Sequence, residues 1–215
     1  DKIIEDAGLR EIITTFPHLL IECTFTIVNK ASETVPFFFN KVQKEFLSHF
    51  LNSRGNKPFF ILKGRQQGFT SLITAIQLAY TLTNKNFNGY TVAHRQIDTE
   101  AIFSQKAKVP YNRLPDNLKP HEQYNTSKEL YFDKVNCSWQ VVTATESMGR
   151  SRTLHFVHLS ECAWYSCPIS SIQSGLLEAA PKNAIVVYET TANGYNDAKT
   201  LWDSRSCNNL FFEWW

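Results

Sequence analysis

The segment from residue 59 to 84 constrains this chain most. An apolar run, FFIL at 59–62, meets a polar loop with two glycines, KGRQQGFTS at 63–71, and then the helix SLITAIQLAYTLTN at 71–84. A buried strand that turns tightly into a buried helix is the repeating unit of an α/β domain, where helices cover a mainly parallel sheet. Later segments repeat the pattern. GYTVAHR at 89–95 reads as the next strand, followed by a helix near 98–107, and LHFVHL at 154–159 and NAIVVYE at 183–189 read as strands covered on both faces. ELYF, DKVNC and SWQVVTAT read as a β-hairpin with a turn between its arms, and VPYNRLPDNLKPHEQYNTSK as a long surface excursion. Helices are expected in ISSIQSGLLEA, stopped by Pro181, and near 196–204, before the closing LFFEWW.

Upstream, a short helix is expected around IIEDAGLREIITTFPHLL, ended or bent near Pro17, and CTFTIVNK at 23–30 alternates as a strand. In PFFFNKVQKEFLSHFL, Val42, Phe46, Leu47 and Phe50 recur at helical spacing, and Asn40 is placed to cap the helix. Residues 1–57 are expected to form a lead-in and 58–215 a core, together one domain. Length and a 43% hydrophobic content suffice for one sizeable core and exclude a mainly disordered chain. A net charge of +2 gives no bulk positive field to attract nucleic acid or a membrane. No apolar run reaches membrane-spanning length, and the first residues lack the basic and apolar regions of a signal peptide, so neither is expected. Five scattered cysteines make neither a disulfide framework nor a zinc knuckle, which favours free thiols in a reducing compartment.

Chemistry-bearing residues collect where the strands end. A phosphate-binding loop has a glycine five residues before its second glycine, then Lys and Ser or Thr. Aligned on Gly68, this chain has Lys63 at the first position, Phe69 at that of the lysine and Thr70 at that of the metal-side hydroxyl. Gly64, Arg65, Gln66, Gln67 and Ser71 complete the loop; Arg65, with five donors, can supply the charge that Phe69 cannot. From this segment alone, phosphate binding and an ordinary strand-to-helix turn with a solvated arginine both stand open. Glu161 lies directly beyond HFVHLS, where a carboxylate can deprotonate water beside a metal, or simply favour a helix start. Ser160 precedes it, able to hydrogen-bond a metal-bound water but carrying no charge. NAIVVYE delivers Glu189, Thr190, Thr191, Ala192, Asn193 and Gly194 at its C-terminal end, where α/β sheets read ligands; Thr191 or Asn193 can sense a phosphate, although a capped turn ending in Gly194 is equally good local chemistry.

Taken in order, PFFFNKVQ, KGRQQGFTS, VTATESMGRSRT, LHFVHLSECAW and YETTANG resemble the ATPase domain of bacteriophage large terminases, the DNA-packaging motor subunits, over roughly residues 24–215. The resemblance implies an α/β P-loop NTPase of the ASCE type, with a mainly parallel central sheet flanked by helices and an added β-hairpin. It implies ATP and Mg²⁺ as cofactors, and hydrolysis that drives double-stranded DNA into procapsids. Residue by residue, it assigns Phe37 and Gln43 to the adenine side and Lys63 to Ser71 to the nucleotide loop, with Arg65 as an early arginine. Thr70, Ser160 and Glu161 fall at the metal, Glu161 doubling as catalytic glutamate, and Thr190, Thr191 and Asn193 form the coupling motif. Arg150 and Arg152 match arginines that approach phosphate in cis or from a neighbouring subunit. The departures are Phe69 for the usual lysine and Ser160 for the usual aspartate.

Partners implied are DNA, the portal protein, the small terminase subunit and further copies in a ring on the procapsid. The implied location is the cytoplasm of a bacterial host of a phage or prophage, transiently at the portal. Such proteins continue into a nuclease domain, so this chain is expected to be a piece lacking it, monomeric alone, slow as an ATPase and unable to cut DNA. Two alternatives stand beside this reading: a non-catalytic nucleotide-binding assembly module, and another P-loop translocase or helicase.

Overall fold

The computed structural model describes residues 6–122, 124–146 and 152–213. Two short helices open it, Ala7–Thr15 (α1) and Pro17–Thr24 (α2). They part at Phe16, because Pro17 has no N–H to extend the first helix but suits the first turn of the second. The strand expected over 23–30 is shorter, since Cys23 and Thr24 still belong to α2; Thr26–Val28 (β1) and Thr34–Pro36 (β2) form a separate antiparallel pair. Lys41–Ser53 (α3) starts where expected: the Asn40 side chain accepts from the Gln43 amide while the Gln43 side chain accepts from that of Asn40.

Phe59–Lys63 (β3) runs into Phe69–Thr83 (α4), and Asn88–Ala93 (β4) follows. A long helix then extends to Asn112 in three stretches: Gln96–Ala101 (α5), a π-helical Ile102–Lys108 and Val109–Asn112 (α6). Pro110 lacks an N–H and crowds the carbonyl four residues back, which lies in the π-helical stretch. The expected surface excursion therefore begins later than Val109, and Pro110, Tyr111 and Leu114 are buried. Next come Tyr124–Asn125 (β5), Glu129–Phe132 (β6), Cys137–Thr143 (β7) and Phe156–Ser160 (β8), then Ile169–Leu176 (α7), Ile185–Thr190 (β9), Asp197–Asp203 (α8) and Asn208–Phe212 (β10).

Eight strands make one sheet in the order β10-β3-β9-β8-β4-β7-β6-β5. From β10 to β7 every pair is parallel, and β6 and β5 add antiparallel strands at one edge. The added hairpin is thus not an appendage, because its second strand, β7, is itself part of the parallel sheet. Mixed α/β architecture with a mainly parallel sheet is as expected.

Strand alternation sorts the core into two layers. Phe59, Ile61, Phe156 and Val187 face α4 together with its Phe69, Leu72 and Ile76. Phe60, Val157, Leu159, Val186 and Tyr188 face the other way, against Ile169, Ile172 and Leu176 of α7 and Ala198 of α8. Helix α4 is buried from Leu72 through Thr83, its polar Thr74, Gln77 and Thr81 included; Gln77 Nε2 donates to Phe156 O and its Oε1 accepts from the Thr91 hydroxyl. No helix among the described residues is long and apolar enough to cross a membrane.

Candidate active site at the C-terminal edge of the sheet

Because the six strands are parallel, the ends of β3, β8 and β9 share one edge, and the charged residues gather there. The alternation that places Phe59 and Ile61 under α4 places Lys63 there too. By the same count Ile185 and Val187 carry Glu189, and Phe156 carries His158 and Ser160. Lys63 Nζ lies 2.8 Å from Glu161 Oε1 and 3.2 Å from Glu189 Oε1. Glu189 is fully buried; its Oε2 is 2.8 Å from His158 Nε2, and its Oε1 accepts a 2.7 Å hydrogen bond from the Thr70 hydroxyl. Glu161 spans the gap from β8 to β3, over β9: its second oxygen accepts from the Thr191 backbone N–H at 3.1 Å and the Thr191 hydroxyl at 3.2 Å. Glu161 adopts φ 52°, a left-handed conformation that costs a non-glycine residue roughly 1–2 kcal/mol. The ties to Lys63 and Thr191 hold it there.

Burial pushes the Glu189 carboxyl up, but the Lys63 charge, His158 and the Thr70 hydroxyl outweigh it and leave the group at about 2, below its usual 4.5. Burial likewise works against the Lys63 charge, and Glu189 and Glu161 overcome it, so its ammonium is held above its ordinary value. Burial lowers Lys106, on the π-helical stretch, against the opposing pull of Glu189. Glu189 is therefore ionised in the folded chain at acidities where the unfolded chain would bind a proton. Its contribution to stability is complete above about pH 5 and is lost as pH falls towards 2. Urea unfolding should show stability dropping through that window, with a shallower drop in Glu189→Gln. Equal slopes for the two proteins would refute the ionised pair.

The loop is held from behind. Gly68 has φ 78°, which favours glycine, and a Cβ there would meet Gln43 Nε2 at 2.8 Å and displace that side chain from the loop. Gln43 Nε2 donates to Gly68 O at 2.9 Å, and Asn40 Nδ2 to Gln67 O at 3.1 Å. Lys30 Nζ donates to Gln66 Oε1 at 2.8 Å, Gly64 N donates to Phe212 O at 3.0 Å, and the Gln67 side chain donates to Glu213 O. Gly68 also offers no side-chain cap to α4, so the first-turn amides, at Phe69, Thr70 and the half-buried Ser71, are not capped by a side chain. Arg65 is exposed and borders a cleft of about 360 Å³ with Gly64, Thr191, Ala192 and Phe211.

Several expectations change. Lys63 borders the same cleft as Arg65 but is largely buried, its ammonium clamped by two carboxylates. Phe37 is 2% exposed and packs against Phe39 in the core, so its ring offers no face to a base. The Gln43 amide is spent on Asn40 and Gly68, holding the loop rather than reaching outward. Phe69 is core as well, against Phe46 and Phe212 with ring centroids 5.9 and 4.8 Å away. Thr190 accepts from Ala163 N and Asn193 Nδ2 donates to Ala163 O, so both fasten the turn after Glu161.

Arg152 lies before β8, at the end of the sheet opposite Glu161, roughly 16 Å away along five residues of strand, and pairs with Glu129 at 2.8 Å. Of the two alternatives for Arg152, this position does not favour the one in cis. Arg150 falls outside the described residues. His158 was missed as a site residue, and Glu189, placed at its strand end, was given no role. The signal was the period-two register of NAIVVYE, which puts Glu189 on the same face as Ile185 and Val187.

The class this fold and edge define is a mixed α/β protein whose charged residues converge at the C-terminal ends of three adjacent parallel strands. Among solved structures, the HK97 bacteriophage large terminase has this fold: 95% of the chain superimposes with a TM-score of 0.70 at 20% sequence identity. The chain spans 43% of the length of that terminase chain. No protein-family model and no curated protein matches the sequence.

Proposed function

We propose that this chain is the ATP-hydrolysing motor domain of a phage or prophage large terminase and that it drives double-stranded DNA into procapsids. The observation that carries the reading is Glu161: a carboxylate fixed beyond a buried strand, facing the loop that opens α4, with one strand, β9, between them. A strand inserted between the loop strand and the glutamate strand is the arrangement for which the ASCE class of P-loop NTPases, additional strand with catalytic glutamate, is named. The fold shared with the HK97 large terminase supports the DNA-packaging part of the proposal.

The residues divide the work. First-turn amides of α4 and the Arg65 guanidinium receive phosphate oxygens. Glu161 accepts the proton of the attacking water, and Thr191, bonded to the same carboxylate, feels any change in its position. The donors present suit Mg²⁺. No cluster of three metal-ligating side chains occurs among the described residues, and this ion is commonly held by one or two carboxylates together with substrate phosphates. When bound, it neutralises charge on those phosphates. Thr70 and Glu161 would hold it, with Ser160 beside them. Arg152, remote from its own site, fits a contribution to a neighbouring copy in a ring assembled on the portal, with the small subunit and DNA as further partners.

Arg65→Ala should weaken binding of a non-hydrolysable ATP analogue by roughly ten- to a hundredfold and leave adenosine binding unchanged, because the lost hydrogen bonds are to charged phosphate. Titration calorimetry decides it. Equal losses for both ligands, or no binding of either by the wild type, would sink the nucleotide reading.

A further inference from the structure

In this protein the residue before the glutamate of β8 is a serine, which brings no charge. Its register partner on the adjacent strand is Glu189. Parallel neighbours in register project to the same face, so the two side chains start side by side under α4. Glu189 is fully buried, yet its Oε1 receives the Thr70 hydroxyl at 2.7 Å and lies 3.2 Å from Lys63 Nζ. A hydroxyl that presents its lone pairs to a cation must send its hydrogen elsewhere, and a carboxylate acceptor both orients it and strengthens it as a ligand. Thr70 has that acceptor in Glu189.

The surroundings agree. Glu161 and Glu189 share Lys63, with His158 on the far oxygen of Glu189, while the second lysine coupled to them, Lys106, sits where burial works against its charge. A carboxylate held on a rigid sheet edge beside a hydroxyl suits a divalent cation that arrives with a nucleotide. We propose that Glu189 takes the place of the acid that Ser160 lacks: it holds the Thr70 hydroxyl toward the Mg²⁺ of a bound nucleotide, so that the metal-side carboxylate comes from β9 and the base from β8. Glu189 is then a positioning residue, and its burial is the consequence of supplying the charge from the strand in the middle.

This inference rests on the nucleotide reading above, and its test separates the two. Affinity for a non-hydrolysable ATP analogue is measured by calorimetry with Mg²⁺ and with EDTA, in wild type, Glu189→Gln and the double variant Ser160→Asp/Glu189→Gln. Wild type should gain affinity with Mg²⁺. Glu189→Gln should lose at least tenfold of that gain while keeping its affinity in EDTA, and the double variant, with an acid restored one strand away on the same face, should recover most of it. Thermal melts accompany each protein. Should Glu189→Gln prove unstable, the double variant decides alone: a folded double variant without the Mg²⁺-linked gain overturns the proposal, as does a folded Glu189→Gln that keeps it. Failure of the wild type to bind the analogue at all overturns the nucleotide reading instead.

Discussion

Glu161→Gln is expected to bind ATP as the wild type does and to lose between about a hundredfold and ten-thousandfold of its turnover, the usual contribution of a positioned general base. Glutamine keeps the shape and can still accept from the Thr191 N–H and hydroxyl, which hold the side chain at 3.1 and 3.2 Å. It cannot take a proton from water. The backbone at this position sits at φ 52°, and glutamine brings no bulk that glutamate lacks, so the turn from Cys162 to Trp164 should survive. One contact changes character. Lys63 Nζ, 2.8 Å from Oε1, would meet a neutral amide, with Glu189 as its remaining anion. Steady-state ATPase measured on the full-length protein, beside nucleotide titration, is the check; turnover near that of the wild type would remove Glu161 from the chemistry.

Lys63→Met should cost more stability than any other substitution at this edge. Methionine matches the length of the stem but leaves Glu189, with no exposed surface, and the quarter-exposed Glu161 without their cation. Removing one partner of a buried ion pair typically costs 3–5 kcal/mol, for about 10 °C in melting temperature at this chain length. Without Lys63, one of the influences that hold the Glu189 carboxyl below its usual value is gone while burial, His158 and Thr70 remain, so the loss of stability as pH falls should be shallower in the variant than in the wild type. Adding Glu189→Gln to Lys63→Met should restore part of the loss, since the two residues share one interaction. A melting temperature within a degree or two of the wild type, or strictly additive losses, would show that the ion pair does not hold the edge together.

The strands of this chain were legible because burial writes itself into composition: β3, β8 and β9 are mainly apolar runs bounded by polar loops. Asn40 and Gln43 announced the start of α3 through their spacing. Less visible was which side of the sheet each strand-end residue would occupy. Motif spacing drew Lys63 into the phosphate loop, whereas strand alternation carries it beneath α4. Phe37 and Phe38 are neighbours of the same type, yet one is 2% and the other 69% exposed, a difference set by tertiary packing alone. Glu189 stayed hidden because its importance arises from sheet order. Only when β9 lies between β3 and β8 does an acid at its end meet Lys63, Thr70 and His158 together. Arg152 lies away from Glu161 for a related reason, since a residue before a strand belongs to the opposite edge from one after it.

The ties behind the loop have a kinetic consequence. Two side chains from the start of α3, Asn40 and Gln43, grip the carbonyls of Gln67 and Gly68, while Lys30 and Phe212 hold Gln66 and Gly64. A loop free in solution would lose about 1–2 kcal/mol of backbone freedom per residue on closing around a ligand. Here that loss is incurred during folding, before any ligand arrives, so an incoming anion meets donors already in position. Association should proceed in one step at a rate set by encounter, with no slower ordering phase behind it, and differences in affinity among ligands should reside in how fast each one leaves.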